Sequence, residues 1–295
     1  MRKTNVVAFV FFILLTVPAL AAGPSTSSQA PNIPDWVKRT NFGVQVQTDQ
    51  KPQYFLETVQ PLLGTQHNDV VFFNQTRITG EDNRSVYNLG FGLRKIFRES
   101  YLLGINSFYD YQDLHQHSRT GVGIEAITDQ GLEARMNSYI RVSRPRLVQE
   151  DPFNSYYEKV ANGFDWELGA PLPYMPFLKV YGGGNWYNFQ HFNNKYGWQT
   201  RLEYTPAKYS RLDFILLDDN KGSRMNYRFE GAITLAFTSF AWKDILKDIK
   251  GTREAYPKVD LQDKILDRVV RDNSITVIKV KKSKTTGLTV EGGRT

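Results

Sequence analysis

Residues 87–128 read YNLGFGLRKIFRESYLLGINSFYDYQDLHQHSRTGVGIEAIT. Apolar and polar residues alternate through this stretch three times, and each run stops at a short polar break. Tyr87, Leu89, Phe91 and Leu93 share one face of an extended chain, with Asn88, Gly90, Gly92 and Arg94 opposite. After IFRES the alternation resumes with Leu103, Ile105 and Ser107 against Gly104, Asn106 and Phe108. After DLHQH it returns with Val122, Ile124 and Ala126 against Gly121, Gly123 and Glu125. A period of two is the mark of a strand with two unlike faces. The second face carries Gly, Asn, Arg and Glu instead of a second apolar layer. An antiparallel sheet in a water-soluble sandwich alternates in the same way, so the choice falls to the rest of the chain.

Working outward, twelve strand-like runs follow one another, near 40–48, 53–60, 68–78, 85–96, 100–111, 117–128, 130–142, 161–171, 175–187, 195–205, 208–217 and 223–237. The late ones repeat the two-faced pattern. Leu132, Ala134, Met136, Ser138, Ile140 and Val142 alternate with Glu133, Arg135, Asn137, Tyr139 and Arg141. Tyr196, Trp198, Thr200, Leu202 and Tyr204 alternate with Gly197, Gln199, Arg201 and Glu203. Met225, Tyr227, Phe229, Ile233, Leu235 and Phe237 alternate with Asn226, Arg228, Glu230 and Thr234. In a soluble protein the apolar face would need a second sheet or helices to cover it, and no helical pattern occurs before residue 240. A closed barrel with lipid outside and a polar lumen accommodates the same alternation. An even strand number and short connections after the even strands (QPLLGTQ, FRE, TDQ, PLPYM, TPA) fit that topology. The longest gap, 143–159, follows the seventh strand and falls on the expected outer side. The expected fold is therefore all-β, a closed antiparallel transmembrane β-barrel of 12 strands over residues 39–238.

The N-terminus adds a compartment. Arg2 and Lys3 precede the apolar run 6–15, and Ala19-Leu20-Ala21 offers a small-residue cleavage site, so residues 1–21 read as a Sec signal peptide. Residues 22–38, rich in Pro, Ser and Ala, read as a flexible periplasmic leader. An exported chain of 295 residues without cysteine is not a disulfide-stapled scaffold. The formal charge of +7 falls, without Arg2 and Lys3, to 35 basic against 30 acidic residues, mild and dispersed. Nucleic-acid binding, which wants a basic stripe, is not expected. Tyr, Phe and Trp make up 14% of the chain, and Tyr54, Phe55, Tyr101, Tyr109, Tyr111, Phe164, Trp166, Trp186, Tyr187, Tyr196, Trp198, Tyr204 and Tyr209 fall toward strand ends. That is the pattern of an aromatic girdle.

Beyond Phe237 the character changes. FAWKDILKDIK at 240–250 has helical spacing with Gly251 as a stop, so 239–256 is expected to form a periplasmic turnaround helix. Residues 257–272 read as a second helix. Leu261, Ile265 and Val269 form a narrow apolar stripe, and Asp260 with Lys264 and Asp267 with Arg271 are spaced for i,i+4 pairs. Residues 274–282 look extended, and the end looks frayed.

NLGFGLR, LLGINSFYDY, HSRTGVGIEA and ANGFDWEL resemble, in order and spacing, the signature segments of the intimin/invasin barrel, the inverse autotransporter translocator. The likeness runs over about residues 41–280. It implies a barrel followed by a segment that climbs back through the lumen and leads a C-terminal passenger to the surface for adhesion or invasion. DLQDKILDRVVRDNSITVIKV occupies the place of that segment, so 257–295 is expected to be a pore-traversing linker with a short tail. Its charged residues Asp260, Lys264, Asp267, Arg268 and Arg271 suit a lumen lined by Asn88, Arg94, Glu125, Arg135, Arg201, Glu203, Arg228 and Glu230. The implied partners are outer-membrane lipid, the barrel-assembly machinery, periplasmic chaperones and a host-cell or surface receptor, with the barrel monomeric and no cofactor. Two departures stand out. About fifteen residues follow Val280 where the family carries tandem Ig-like domains, and no peptidoglycan-binding domain is recognisable before the barrel. A passenger-less relative, an N-terminal fragment and a short displayed tail all fit. The rival reading is a stand-alone channel with the C-terminal segment as a plug.

No catalytic constellation is legible. His115 and His117 form an HxH, but with no cysteine and no third ligand at typical spacing they read as solvated loop residues and not as a metal site. Ser118 beside His117 does not aim a base at a nucleophile, so enzymatic activity is not expected. Glycines 90, 92, 104, 121, 123 and 182–184 lie inside strands, where they relieve crowding or permit close approach. The face assignment carries a test. Leu132→Lys, if near the midplane, costs about 2–4 kcal/mol and Arg135→Leu in the lumen much less, as read by urea unfolding. Equal costs count against it.

Overall fold

A computed structural model describes residues 33–189, 192–207, 209–222, 224–235, 251–284 and 287–289. The expected signal peptide, most of the leader, His191, the end of the last strand, the helix over 240–250 and residues 290–295 lie outside the described residues. Residues 35–38 of the leader form one helical turn, α1 (Asp35–Lys38).

Seven strands run first: β1 (Thr40–Gln47), β2 (Gln53–Leu63), β3 (Val70–Glu81), β4 (Arg84–Phe97), β5 (Tyr101–Gln112), β6 (His117–Thr128) and β7 (Glu133–Arg141). A hairpin follows, β8 (Arg146–Glu150) and β9 (Asn154–Val160), and then β10 (Asn162–Leu172), β11 (Met175–Asn188), β12 (Lys195–Ala207), β13 (Ser210–Asp219) and β14 (Asn226–Thr234). All except β8 and β9 pair with their neighbours in one closed barrel, sealed where β1 meets β14 from Asn41↔Thr234 to Gln47↔Arg228. Each of the twelve expected runs is thus a barrel strand. The long gap after the seventh is not a plain loop. It folds as β8–β9 and joins β15 (Val277–Ser283) and β16 (Gly287–Thr289) in a separate sheet of order β16-β15-β9-β8.

Closure is what the physics of a bilayer demands, since every backbone N–H and C=O in hydrocarbon must be bonded within the protein. No described helix is long and apolar enough to cross a membrane, and the wall of the closed barrel is built of strands. Their outer faces present Leu89, Phe91, Leu93, Ile105, Val122, Ile124, Met136 and Ile140, each 42–58% exposed. A continuous belt of this kind is unstable in water and suits lipid. Inner faces carry Asn88, Arg94, Asn106, Asp110, Asn137 and Arg201, all buried. Two glycines show how the inner wall is fitted. A Cβ on Gly90 would sit 2.2 Å from the Phe108 ring, and one on Gly92 would sit 2.4 Å from that of Phe73. Only hydrogen leaves these rings room to lie flat against the neighbouring strand.

Some placements differ from expectation. Of the strand-end aromatics, Tyr54, Tyr101, Tyr109, Trp166, Tyr196 and Trp198 are exposed, but Phe55 and Tyr187 are buried on the inner face. Phe55 lies 3.6 Å beneath the Arg77 guanidinium, and that cation–π contact outweighs any interfacial preference. Leu132 precedes β7 at a turn, its N–H donating to Thr128 Oγ1 (3.1 Å), so the midplane test moves to mid-strand. Val122→Lys should cost about 2–4 kcal/mol and Tyr101→Lys, at a strand end, about 0–1 kcal/mol, in urea unfolding of the barrel in lipid vesicles. Indistinguishable costs would remove the lipid belt.

Candidate functional site: the occupied lumen

The chain re-enters its own barrel. It approaches along the rim of short turns, where Thr252 N–H donates to Tyr174 O (3.0 Å), Tyr174 N–H to Ala255 O (2.9 Å) and Val259 N–H to Asp129 O (2.7 Å). Asp260 then caps a single turn, α2 (Leu261–Lys264), accepting from Gln262 N–H at 2.9 Å. Residues 268–276 continue without regular structure. At ~3.3 Å per residue they reach ~30 Å, the thickness of a hydrocarbon core. At the opposite rim Ala161 N–H donates to Thr276 O (2.9 Å), and β15 pairs with β9 from Val277↔Val160 to Ser283↔Asn154.

The helix expected over 257–272 therefore contracts to α2. A helix keeps its carbonyls for itself, but here the barrel wall takes them. Arg94 Nη1 donates to the carbonyls of Ile265 (3.0 Å) and Asp267, Asn137 to that of Val270 (3.2 Å), Arg119 to that of Asp272 (2.6 Å) and Asn88 to that of Asn273 (3.1 Å). Gln75 grips Val269 from both sides, donating to its carbonyl (3.2 Å) and accepting from its N–H (2.7 Å). Bonds from guanidinium donors are about twice as strong as neutral ones, so the wall wins over local helix preference. The i,i+4 pairs are lost with the helix: Asp260 caps, Lys264 pairs with Asp267 at 3.0 Å, and Arg271 leaves for the wall.

Arg271 ends on Asp110, two parallel bonds of 2.7 and 2.6 Å, while Arg119 Nε reaches the same carboxylate at 2.7 Å and Asn88 at 2.8 Å. Asp110 and Arg119 are wholly buried, and the Arg271 guanidinium lies 4.3 Å over Phe108. Asp272 adds its carboxylate to Tyr187 Oη (2.7 Å) and its N–H to Tyr139 Oη (2.9 Å). On the other flank Arg268 reaches Asp213 (3.3 Å) and Glu230 (3.8 Å). The apolar stripe also finds its place, for Leu261, Ile265 and Val269 pack with Val59, Val71, Phe73, Ile96, Leu102, Phe108 and Ile127.

Of the wall residues singled out in the sequence, Asn88, Arg94 and Glu230 touch the linker directly. Glu125 holds Arg94 (2.7 Å), Arg201 joins Glu167, Glu203 and Asp213 (2.7–2.9 Å), and Glu230 meets Arg268. Arg135 pairs with Glu133 and with Glu167 (3.3 Å), away from the linker. Both carboxylates keep a second cation without Arg135, Glu133 in Lys179 (2.5 Å) and Glu167 in Arg201 (2.7 Å). Arg228 lies near the rim, bonded to Gln47 at 2.7 Å. Gln75, Asp110, Arg119, Tyr139 and Tyr187 were missed, although strand parity puts Asp110 on the face of Asn106 and Phe108, and Arg119 on that of Gly121. The HxH is also corrected. His117 is buried, and Glu158, brought by β9, bonds His115 Nδ1 (2.8 Å) and His117 Nε2 (3.0 Å). Burial alone would raise the Glu158 carboxyl, but the two imidazoles hold it at about 2.

A closed twelve-stranded barrel threaded by its own C-terminal segment defines an outer-membrane barrel with an internal linker. The profile described as inverse autotransporter, beta-domain, matches residues 26–265. Over 151 residues the chain is 35% identical to an invasin of Yersinia enterocolitica, covering 48% of this chain and 18% of the invasin. Over 164 residues it is 31% identical to the inverse autotransporter adhesin YeeJ of Escherichia coli K12, covering 54% of this chain and 7% of YeeJ. A membrane protein solved in work on in-meso crystallization superposes with a TM-score of 0.63 at 20% identity, covering 83% of this chain and all of that one. The chain belongs to the inverse autotransporter family and carries its β-domain, an outer-membrane barrel.

Breaking the Asp110 hub should be costly. Asp110→Asn leaves Arg119 and Arg271 facing a neutral amide, and unfolding should lose about 3–5 kcal/mol. Arg228→Gln, at the rim, should lose under about 1 kcal/mol in the same urea titration.

Proposed function

We propose that the barrel anchors the chain in the outer membrane and carries its own C-terminal segment to the cell surface. The observation behind this reading is the direction of the linker. It enters beside the short turns, which in outer-membrane barrels face the periplasm, and ends as β15 beside the long β7–β10 connection. The barrel spans a small part of the invasin and of YeeJ, so adhesion or invasion through a surface receptor is what whatever follows the linker would perform. Insertion would call on periplasmic chaperones and the barrel-assembly machinery, with lipid as the permanent partner and the barrel monomeric.

A second reading has an observation of its own. Beside the linker lies a polar cavity of about 170 Å³, lined among others by Arg77, Arg201, Asp213, Glu230 and Arg268, which suits a channel plugged by residues 257–295. The chain has no cysteine, so Lys279→Cys supplies a single thiol at an exposed position of β15. Translocation predicts that a membrane-impermeant maleimide labels it in intact cells. A thiol that reacts only after the outer membrane is permeabilised sinks the translocator reading. Bilayer conductance that is low for the whole chain and rises on deleting 257–295 is expected of either occluded state. An open pore in the whole chain would show that the linker does not seal the lumen.

A further inference from the structure

Where the external sheet meets the barrel rim, the β5–β6 connection and β9 bring together two imidazoles and a carboxylate. His115 lies in a 3-10 turn over Leu114–Gln116, with φ of 61°, and His117 opens β6. Glu158 arrives from 41 residues further on, and one of its oxygens contacts both rings, at 2.8 and 3.0 Å. His117 is fully enclosed and the Glu158 side chain nearly so, while His115 is about one-third exposed at 32%. All three ligand atoms lie within 4.8 Å of one another.

We propose that His115, His117 and Glu158 form a binding site for a divalent transition-metal ion of the Zn²⁺ type. A tetrahedral Zn²⁺ holds nitrogen and carboxylate ligands at about 2.0–2.2 Å, which sets them ~3.4 Å apart. The two Glu158 contacts would open by about 0.5 Å, and the two imidazole nitrogens, no more than 4.8 Å apart, would draw together by up to ~1.4 Å to meet that requirement. The exposed flank of His115 leaves the fourth position to water, as a three-ligand site needs. Two imidazoles and one carboxylate select Zn²⁺, Ni²⁺ or Cu²⁺ over Ca²⁺ and Mg²⁺, which demand more oxygen ligands. Arg146 and Lys279 stand opposite Glu158 in the neighbouring strands; their charge opposes any cation there, so the two imidazole nitrogens must supply the affinity, which they do for Zn²⁺ and not for Ca²⁺ or Mg²⁺. The ion would staple β9, and with it β15, to the barrel rim. This inference does not depend on translocation.

The test uses the whole mature chain in detergent, carrying no polyhistidine tag and stripped with chelator. Titration calorimetry with ZnCl₂ should give one Zn²⁺ per chain, and Co²⁺ should give the visible absorption of a four-coordinate ion. His115→Ala and Glu158→Gln should each weaken Zn²⁺ by at least the ~10–100-fold that losing even an outer partner costs. A His67→Ala/His191→Ala double variant should leave it unchanged. Heat-modifiable migration in electrophoresis checks that each barrel is folded, and His115→Gln replaces the alanine should that one misfold. No binding by the wild type, binding that survives both ligand variants, or binding lost in the double variant overturns the site.

Discussion

An arginine enclosed by a barrel wall has to be given an acceptor, and this barrel encloses many. Arg94, Arg119 and Arg201 are buried on the inner face, where an uncompensated charge would cost several kcal/mol. The wall supplies part of the answer through Glu125, Asp110 and Glu167. The remainder comes from the backbone carbonyls of the linker, which an extended chain offers and a helix does not. The linker's conformation follows from the wall's need for acceptors.

The same segment is asymmetric in a way that sets its rotation. Leu261, Ile265 and Val269 close an apolar cluster against strands β2 to β6, and Arg268 points to the acidic pair on β13 and β14. Burial of the stripe contributes affinity without direction, whereas the paired bonds between Arg271 and Asp110 specify register. Slipping the linker by one residue would turn Arg271 away from Asp110 and break the two-way bond between Val269 and Gln75. A segment held in this way fills one side of the lumen and leaves a polar cavity beside it.

Outside the barrel, the β8–β9 hairpin offers an open strand edge, and β15 takes it. Main-chain pairing of this kind needs no particular side chains. It gives the linker a fixed point of exit immediately past the rim. The histidines of the β5–β6 connection hold β9 in turn, so the exit is tied to two separate parts of the barrel.

The twelve barrel strands and their faces were legible in the residues, because a period of two is a local property that lipid on one side and water or charge on the other enforce along every strand; the course of the C-terminal segment was implied by the family resemblance instead. Arg94 and Glu230 could be assigned inward from parity alone, and Asp110 and Arg119 obeyed the same parity without being singled out. What parity cannot express is which distant groups meet. Helical spacing in residues 257–272 was real, yet Arg94, Gln75 and Arg119, far away in the chain, claimed the carbonyls a helix would have used. Glu158 became the third neighbour of His115 and His117 only because a hairpin folded over the rim. Sequence determined the closed sheet and its two faces; tertiary structure decided the linker's shape and the His–Glu cluster, since both depend on partners that only the closure of the barrel brings within bonding distance.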